Sequence, residues 1–125
     1  MGKESGEKLV AVVEDDDSYR NAVQRLLKAA GFRVRSFASA EDFLSSGQQR
    51  TTRCLIADIQ MPRMSGFDLQ SKLNADQCPI PTIFITAHGD EKVRLQALRS
   101  GAVKFLEKPF DCDTLLEGVR LALER

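Results

Sequence analysis

The sequence predicts one α/β domain, a doubly wound sheet of five parallel strands with five helices on its two faces. Three observations lead there. Five short apolar, β-branched runs recur along the chain, and each is followed by a stretch with helical spacing. Cys54 to Ala57 is apolar without alternation, as in a strand covered on both faces. Right-handed crossovers between such strands permit little else. At 125 residues, with no internal repeat or low-complexity stretch, there is room for a single domain, spanning 9–125. Residues 1–8, MGKESGEK, read as a flexible lead-in.

Leu9 to Val13 is the first strand, ending in Glu14, Asp15, Asp16 and Asp17. Ala22, Val23, Leu26, Leu27 and Ala30 then share one helical face, with Asp17 or Ser18 placed to cap its start and Gly31 to end it. Phe32 to Phe37 reads as a strand and Ser39 to Ser46 as a short helix stopped by Gly47, and Gln48 to Arg53 is a polar loop. The strand from Cys54 stops at Asp58, and Met61 to Gly66 forms a turn-rich connection. Phe67, Leu69 and Leu73 mark the third helix, and two prolines keep Cys78 to Pro81 irregular. Thr82 to Ile85 is the fourth strand. Asp90 is placed to cap a helix whose Val93, Ala97 and Leu98 face inward and which ends at Gly101. Val103 to Leu106 is the fifth strand, with Phe105 expected to point away from Val103. A last helix from about Asp113 buries Leu115, Leu116, Val119 and Leu123.

Composition excludes several function classes. With 18 basic and 18 acidic residues and no Lys/Arg cluster, nothing favours nucleic acid binding by these residues alone. Cys54, Cys78 and Cys112 are odd in number and widely spaced, which points to reduced thiols rather than a zinc site. No apolar run approaches the roughly 18 residues of a membrane span, so a cytoplasmic protein without membrane contact is expected.

The polar residues that end the strands carry the chemistry. Glu14 and Asp15 follow strand one, Asp58 strand three, Thr86 strand four and Lys108 strand five, all on one edge of a parallel sheet. In the expected flavodoxin-like order 2-1-3-4-5, strands one and three are neighbours and their three carboxylates converge. At about 4 Å each pair repels by roughly 4 kcal/mol at an effective dielectric of 20, so the cluster calls for a cation. An all-oxygen donor set with few protein ligands suits Mg²⁺. Asp58 lies too far before Phe67 to cap the third helix, whereas Asp16 and Asp17 read as helix caps. His88, the lone histidine, reads as a surface loop residue, and Met61 and Met64 as loop packing. Rival sites lack their residues: EDDDS stands where a phosphate-cradling loop would need glycines and a lysine, and Gln60 stands where an Asp-nucleophile phosphatase would need a second acid.

Taken in order, the strings VVEDD, IADIQMPRMSG, ITAHGD and FLEKPF resemble the receiver domain of two-component response regulators, of the FixJ type and with a CheY-like fold. The resemblance runs from Leu9 to Arg125. It implies that Asp58 accepts a phosphoryl group from a phosphohistidine on a sensor histidine kinase. Asp15 would ligate Mg²⁺ directly, Glu14 largely through water, and the Gln60 carbonyl would complete the protein ligands. Lys108 and Thr86 would hold phosphoryl oxygens, and Thr86 and Phe105 would switch the surface of helix four, strand five and helix five toward homodimerisation or control of an output domain. Gln60 and His88 would tune phosphoryl lifetime. The Lys108–Pro109 peptide is expected to be cis. The family also implies a phosphoacceptor with self-phosphorylation and self-dephosphorylation activity rather than an enzyme for outside substrates, and DNA contact only through a helix-turn-helix output domain missing here. Two departures stand out, Glu14 where Asp is common and Phe105 where Tyr is frequent. The alternative is a pseudo-receiver, a binding module of this fold that is never phosphorylated.

Overall fold

The structure, a computed structural model, describes residues 8–125; the expected lead-in lies outside the described residues except for Lys8, whose Nζ donates to the Leu123 carbonyl at 2.9 Å. Strands β1 (Leu9–Val13), β2 (Arg33–Phe37), β3 (Thr52–Asp58), β4 (Thr82–Thr86) and β5 (Lys104–Glu107) form one parallel sheet in the order β2-β1-β3-β4-β5. Helices α1 (Asp17–Ala29), α2 (Ala40–Ser45), α3 (Gly66–Ala75), α4 (Glu91–Arg99) and α5 (Cys112–Leu123) alternate with them.

Alternation along each strand divides the core in two. Val10 and Val12, Cys54 and Ile56, and Ile83 and Ile85 face α1 and α5, where Val23, Leu27, Leu115 and Val119 close over them. Ala11, Val13, Leu55, Ala57 and Phe84 face α2, α3 and α4, meeting Phe43, Leu69, Leu73 and Ala97. All five residues of β1 are fully buried, as a strand with helices on both faces requires.

Several expectations shift locally. Of the two acids read as helix caps, Asp16 is the cap of α1, its side chain accepting from the Tyr19 amide; Asp17, the other candidate, begins the helix and pairs with Arg20 at 2.6 Å, and Ser18 lies within it. Asp111 caps α5, which therefore starts at Cys112 rather than about Asp113. Leu98 does not face inward but is 47% exposed, because the inner face of α4 narrows to Ala97 with partial cover from Val93. Val103 and Phe105 pack on opposite faces as expected, although strict alternation would place them together; Val103 precedes β5, whose first residue is Lys104. Ser39, expected as the first residue of the second helix, instead caps it, whereas the cap at Asp90 and the left-handed turns at Gly31, Gly47 and Gly101 stand where the sequence puts them.

Candidate functional site

The site forms at the carboxyl edge because parallel strands deliver their last residues side by side. β1 pairs with β3 so that Val13 meets Ala57, which brings the residues beyond them, Glu14 and Asp58, together. Carboxylate oxygens of Glu14, Asp15 and Asp58 all lie within 4.8 Å of one another. Glu14 and Asp58 are buried, while Asp15 is exposed and opens the cluster to solvent.

Lys108 arrives from the far side of the sheet, on the turn after β5. Its Nζ donates to Asp58 Oδ2 at 2.9 Å and lies 2.7 Å from Glu14 Oε1. The approach to Glu14 is off the hydrogen-bond axis, so that buried oxygen has an ion-pair partner but no directional donor. The Lys108 amide donates to the Thr86 carbonyl at 2.9 Å, and the Lys108–Pro109 peptide is cis as expected.

Asp58 is held from behind by its own loop. Its Oδ1 accepts from the Gln60 amide at 2.8 Å, the Ile59 amide reaches the Ile85 carbonyl, and the Gly66 amide returns to the Ile59 carbonyl. Only glycine fits at 66, since a Cβ would stand 2.6 Å from the Asp58 carbonyl oxygen. The loop thus folds tightly over the strand end, and Ser65 and Asp68 form a capping box that starts α3 at once.

Burial pushes the Glu14 carboxyl up to about 7, raised further by neighbouring Asp58 and opposed by Lys108 and the Asp16 amide. Burial alone would lower Lys108, but its carboxylate partners outweigh this and hold its pKa above the ordinary lysine value. Burial likewise pushes the Cys54 thiol up to about 12, which leaves it an inert core residue.

Of the residues predicted from sequence, Glu14, Asp15, Asp58 and Lys108 form one cluster, and Gln60 borders it through its amide. Thr86 is fully buried, its Oγ1 accepting from the His88 amide at 3.2 Å. His88 and Gln60 are exposed, so His88 is the loop residue expected. Phe105 is half-buried opposite Phe84 on β4. Met61 packs in the core beside Ile59.

The sequence reading missed the wall formed by α1. Tyr19 places its ring 4.4 Å beneath Lys108 Nζ and meets Phe110 edge-on at 5.6 Å between centroids. Arg20 donates to the Glu14 carbonyl at 2.9 Å, bracing the strand end. The available signal was position: the first turn of a helix directly following β1 passes under the same edge.

These residues form a solvent-open, all-oxygen cluster that could hold a cation, with a lysine on one of its carboxylates. The model of the response regulator receiver domain matches residues 10–120. The chain is 43% identical over 117 residues to Nodulation protein W of Bradyrhizobium diazoefficiens, covering 94% of this chain and 52% of that protein. It is 38% identical to the transcriptional regulatory protein FixJ of Azorhizobium caulinodans, covering 93% of this chain and 55% of that one. The crystal structure of FixJ-N superposes with a TM-score of 0.85 at 36% identity, over 94% of both chains. That of the response regulator StyR gives 0.87 at 42% identity, over 94% of this chain and 60% of that one. The chain spans about half the length of the curated relatives it matches. It belongs to the response regulator receiver domains.

Proposed function

We propose that Asp58 is the phosphoacceptor of a Mg²⁺-dependent receiver, taking its phosphoryl group from a phosphohistidine on a sensor histidine kinase. The observation that supports this most directly is Lys108 held at 2.9 Å from Asp58 Oδ2, within a cluster whose third carboxylate opens to solvent. Phosphoryl transfer needs in-line positioning and charge neutralisation more than covalent help, and this edge is built for both.

The donor set fits the ion. Glu14, Asp15 and Asp58 offer only oxygens, and the buried Glu14 Oε1 has no directional donor. Asp15 and Asp58 would hold Mg²⁺ directly, Glu14 largely through water and Gln60 through its carbonyl. When bound, Mg²⁺ neutralises charge on the phosphoryl oxygens. Asp58 attacks phosphorus with one carboxylate oxygen as the donor's nitrogen–phosphorus bond breaks. Lys108, kept protonated by its carboxylate partners, stays with the transferred group, and the Thr86 hydroxyl donates to one of its oxygens. Tyr19 beneath Lys108 limits where the ammonium can go.

Drawing Thr86 toward the phosphoryl group changes the space open to Phe105, and the surface of α4, β5 and α5 changes with it. That surface would drive homodimerisation or release an output domain. The relatives named as transcriptional regulators favour a transcriptional output through a domain beyond this sequence, and the same family role favours a cytoplasmic location. Among the described residues no helix is long and apolar enough to cross a membrane.

The test is intact mass after incubation with Mg²⁺ and a small acyl phosphate, beside Asp58→Asn. One phosphoryl group gained only with metal and Asp58 is expected. No gain by a folded, Mg²⁺-binding protein would leave a receiver-fold binding module instead. Exposed Gln60 and His88 border the route of the hydrolytic water in this reading, so replacing both by alanine is expected to change the decay rate of the phosphoryl group several-fold. An unchanged rate removes them from that role.

A further inference from the structure

Gly89 stands at a crossing that the phosphoacceptor reading does not use. Its backbone does not adopt the left-handed conformation that favours glycine; the constraint is space. A Cβ at 89 would stand 2.6 Å from Phe105 Cζ, 2.9 Å from Glu107 Cγ and 3.0 Å from Thr86 Cγ2. Real Cβ atoms essentially never come within 3.0 Å of such neighbours, so a methyl group here would have to displace the Phe105 ring and the Glu107 side chain. The Gly89 amide donates to Glu107 Oε2 at 3.2 Å, which ties the β4–α4 loop to the end of β5. Thr86, Phe105 and Glu107, from two neighbouring strands, thus meet at the one loop position that lacks a side chain.

We propose that Gly89 is a positioning residue of the switch: the notch over its Cα seats the tip of the Phe105 ring beside the Thr86 methyl, and its amide, held by Glu107, latches the loop over that arrangement. The latch keeps unphosphorylated protein in one rotamer of Phe105. Any side chain at 89 would take the space that the ring tip, the Thr86 methyl and the Glu107 stem share, so this seat exists only while residue 89 is glycine. The inference rests on the switch reading of Thr86 and Phe105, but its core is a property of the unphosphorylated chain.

The experiment records aromatic NMR signals of phenylalanine-labelled protein without phosphate donor, with Phe105 assigned by its loss in Phe105→Leu. In Gly89→Ala the Phe105 ring signals are expected to move while those of Phe43, in the core under α2, stay. Unmoved Phe105 signals in a folded Gly89→Ala protein would overturn the proposal. If Gly89→Ala does not fold, adding Phe105→Ala and Glu107→Ala, which clear the two contacts under 3.0 Å, is expected to recover the fold, and failure to do so overturns the proposal. Glu107→Ala is expected to speed exchange of the Gly89 amide several-fold, and an unchanged rate removes the latch. After acyl phosphate treatment, the ratio of dimerisation with and without phosphoryl group is expected to fall by roughly fivefold or more in Gly89→Ala. Wild-type protein that gains no mass from the acyl phosphate counts against the phosphoacceptor reading alone, since the ring and exchange measurements are made without it.

Discussion

The β1 and β3 side of the site and the side made by β5 and α4 differ in how completely they are buried. Every residue of β1 and all of β3 beyond Arg53 is buried; in β5 only Leu106 is, and in α4 only Ala97. The well-buried half supplies Glu14, Asp15 and Asp58. The loosely buried one supplies Phe105, Gly89 and the turn carrying Lys108. Local opening concentrates where few apolar contacts hold the chain. The carboxylates are thus anchored in the well-buried part, and the segments that the proposed switch would move hang from the other.

The largest test of that contrast is a truncation in the well-buried part. Ile56→Ala, at a fully buried position between α1 and α5, is expected to lower unfolding free energy by about 2–5 kcal/mol in denaturant melts. A loss under about 1 kcal/mol would mean that β3 is no more anchored than β5.

An intermediate effect should come from Glu14, the charged member of the buried half. Its folded pKa of about 7 lies above the ordinary 4.5, so the folded state binds the extra proton and the wild type loses stability as pH rises between these values. Glu14→Gln removes that loss while keeping an oxygen for Lys108. Relative to wild type in chelator, the variant is expected to gain on the order of 1–3 kcal/mol between pH 5 and pH 8. A difference independent of pH, measured by melts at both values, would show that Glu14 titrates normally. The smallest effect belongs to the loose half: Leu98→Ala is expected to change stability by no more than about 0.5 kcal/mol, given its exposure. A larger loss would assign Leu98 a packing role that its exposure does not show.

The members of the cluster were legible because each ends an apolar run, and parallel strands must deliver such residues to one edge. Tyr19 and Arg20 were not, since a tyrosine and an arginine in the first turn of an amphipathic helix look like ordinary surface residues. Their role appears only when α1 packs beneath β5's closing turn. Leu98 failed for the opposite reason: helical spacing marked it as inward, but the face of α4 that meets the sheet is the one through Val93 and Ala97, which leaves Leu98 to solvent. Gly89 had the appearance of a loop glycine, and its significance is a matter of which ring lies under it.

The sequence by itself determined the strand count, the alternation with helices, the cap at Asp90, and which acids, hydroxyl and lysine would stand at strand ends, because these follow from local periodicity and chain direction. The tertiary structure decided what those residues face. Strand order and register bring β1 against β3 and carry Lys108 across β4 to meet Glu14 and Asp58. Distances of that kind depend on contacts across as many as 94 positions of sequence from Glu14 to Lys108, which no local pattern encodes.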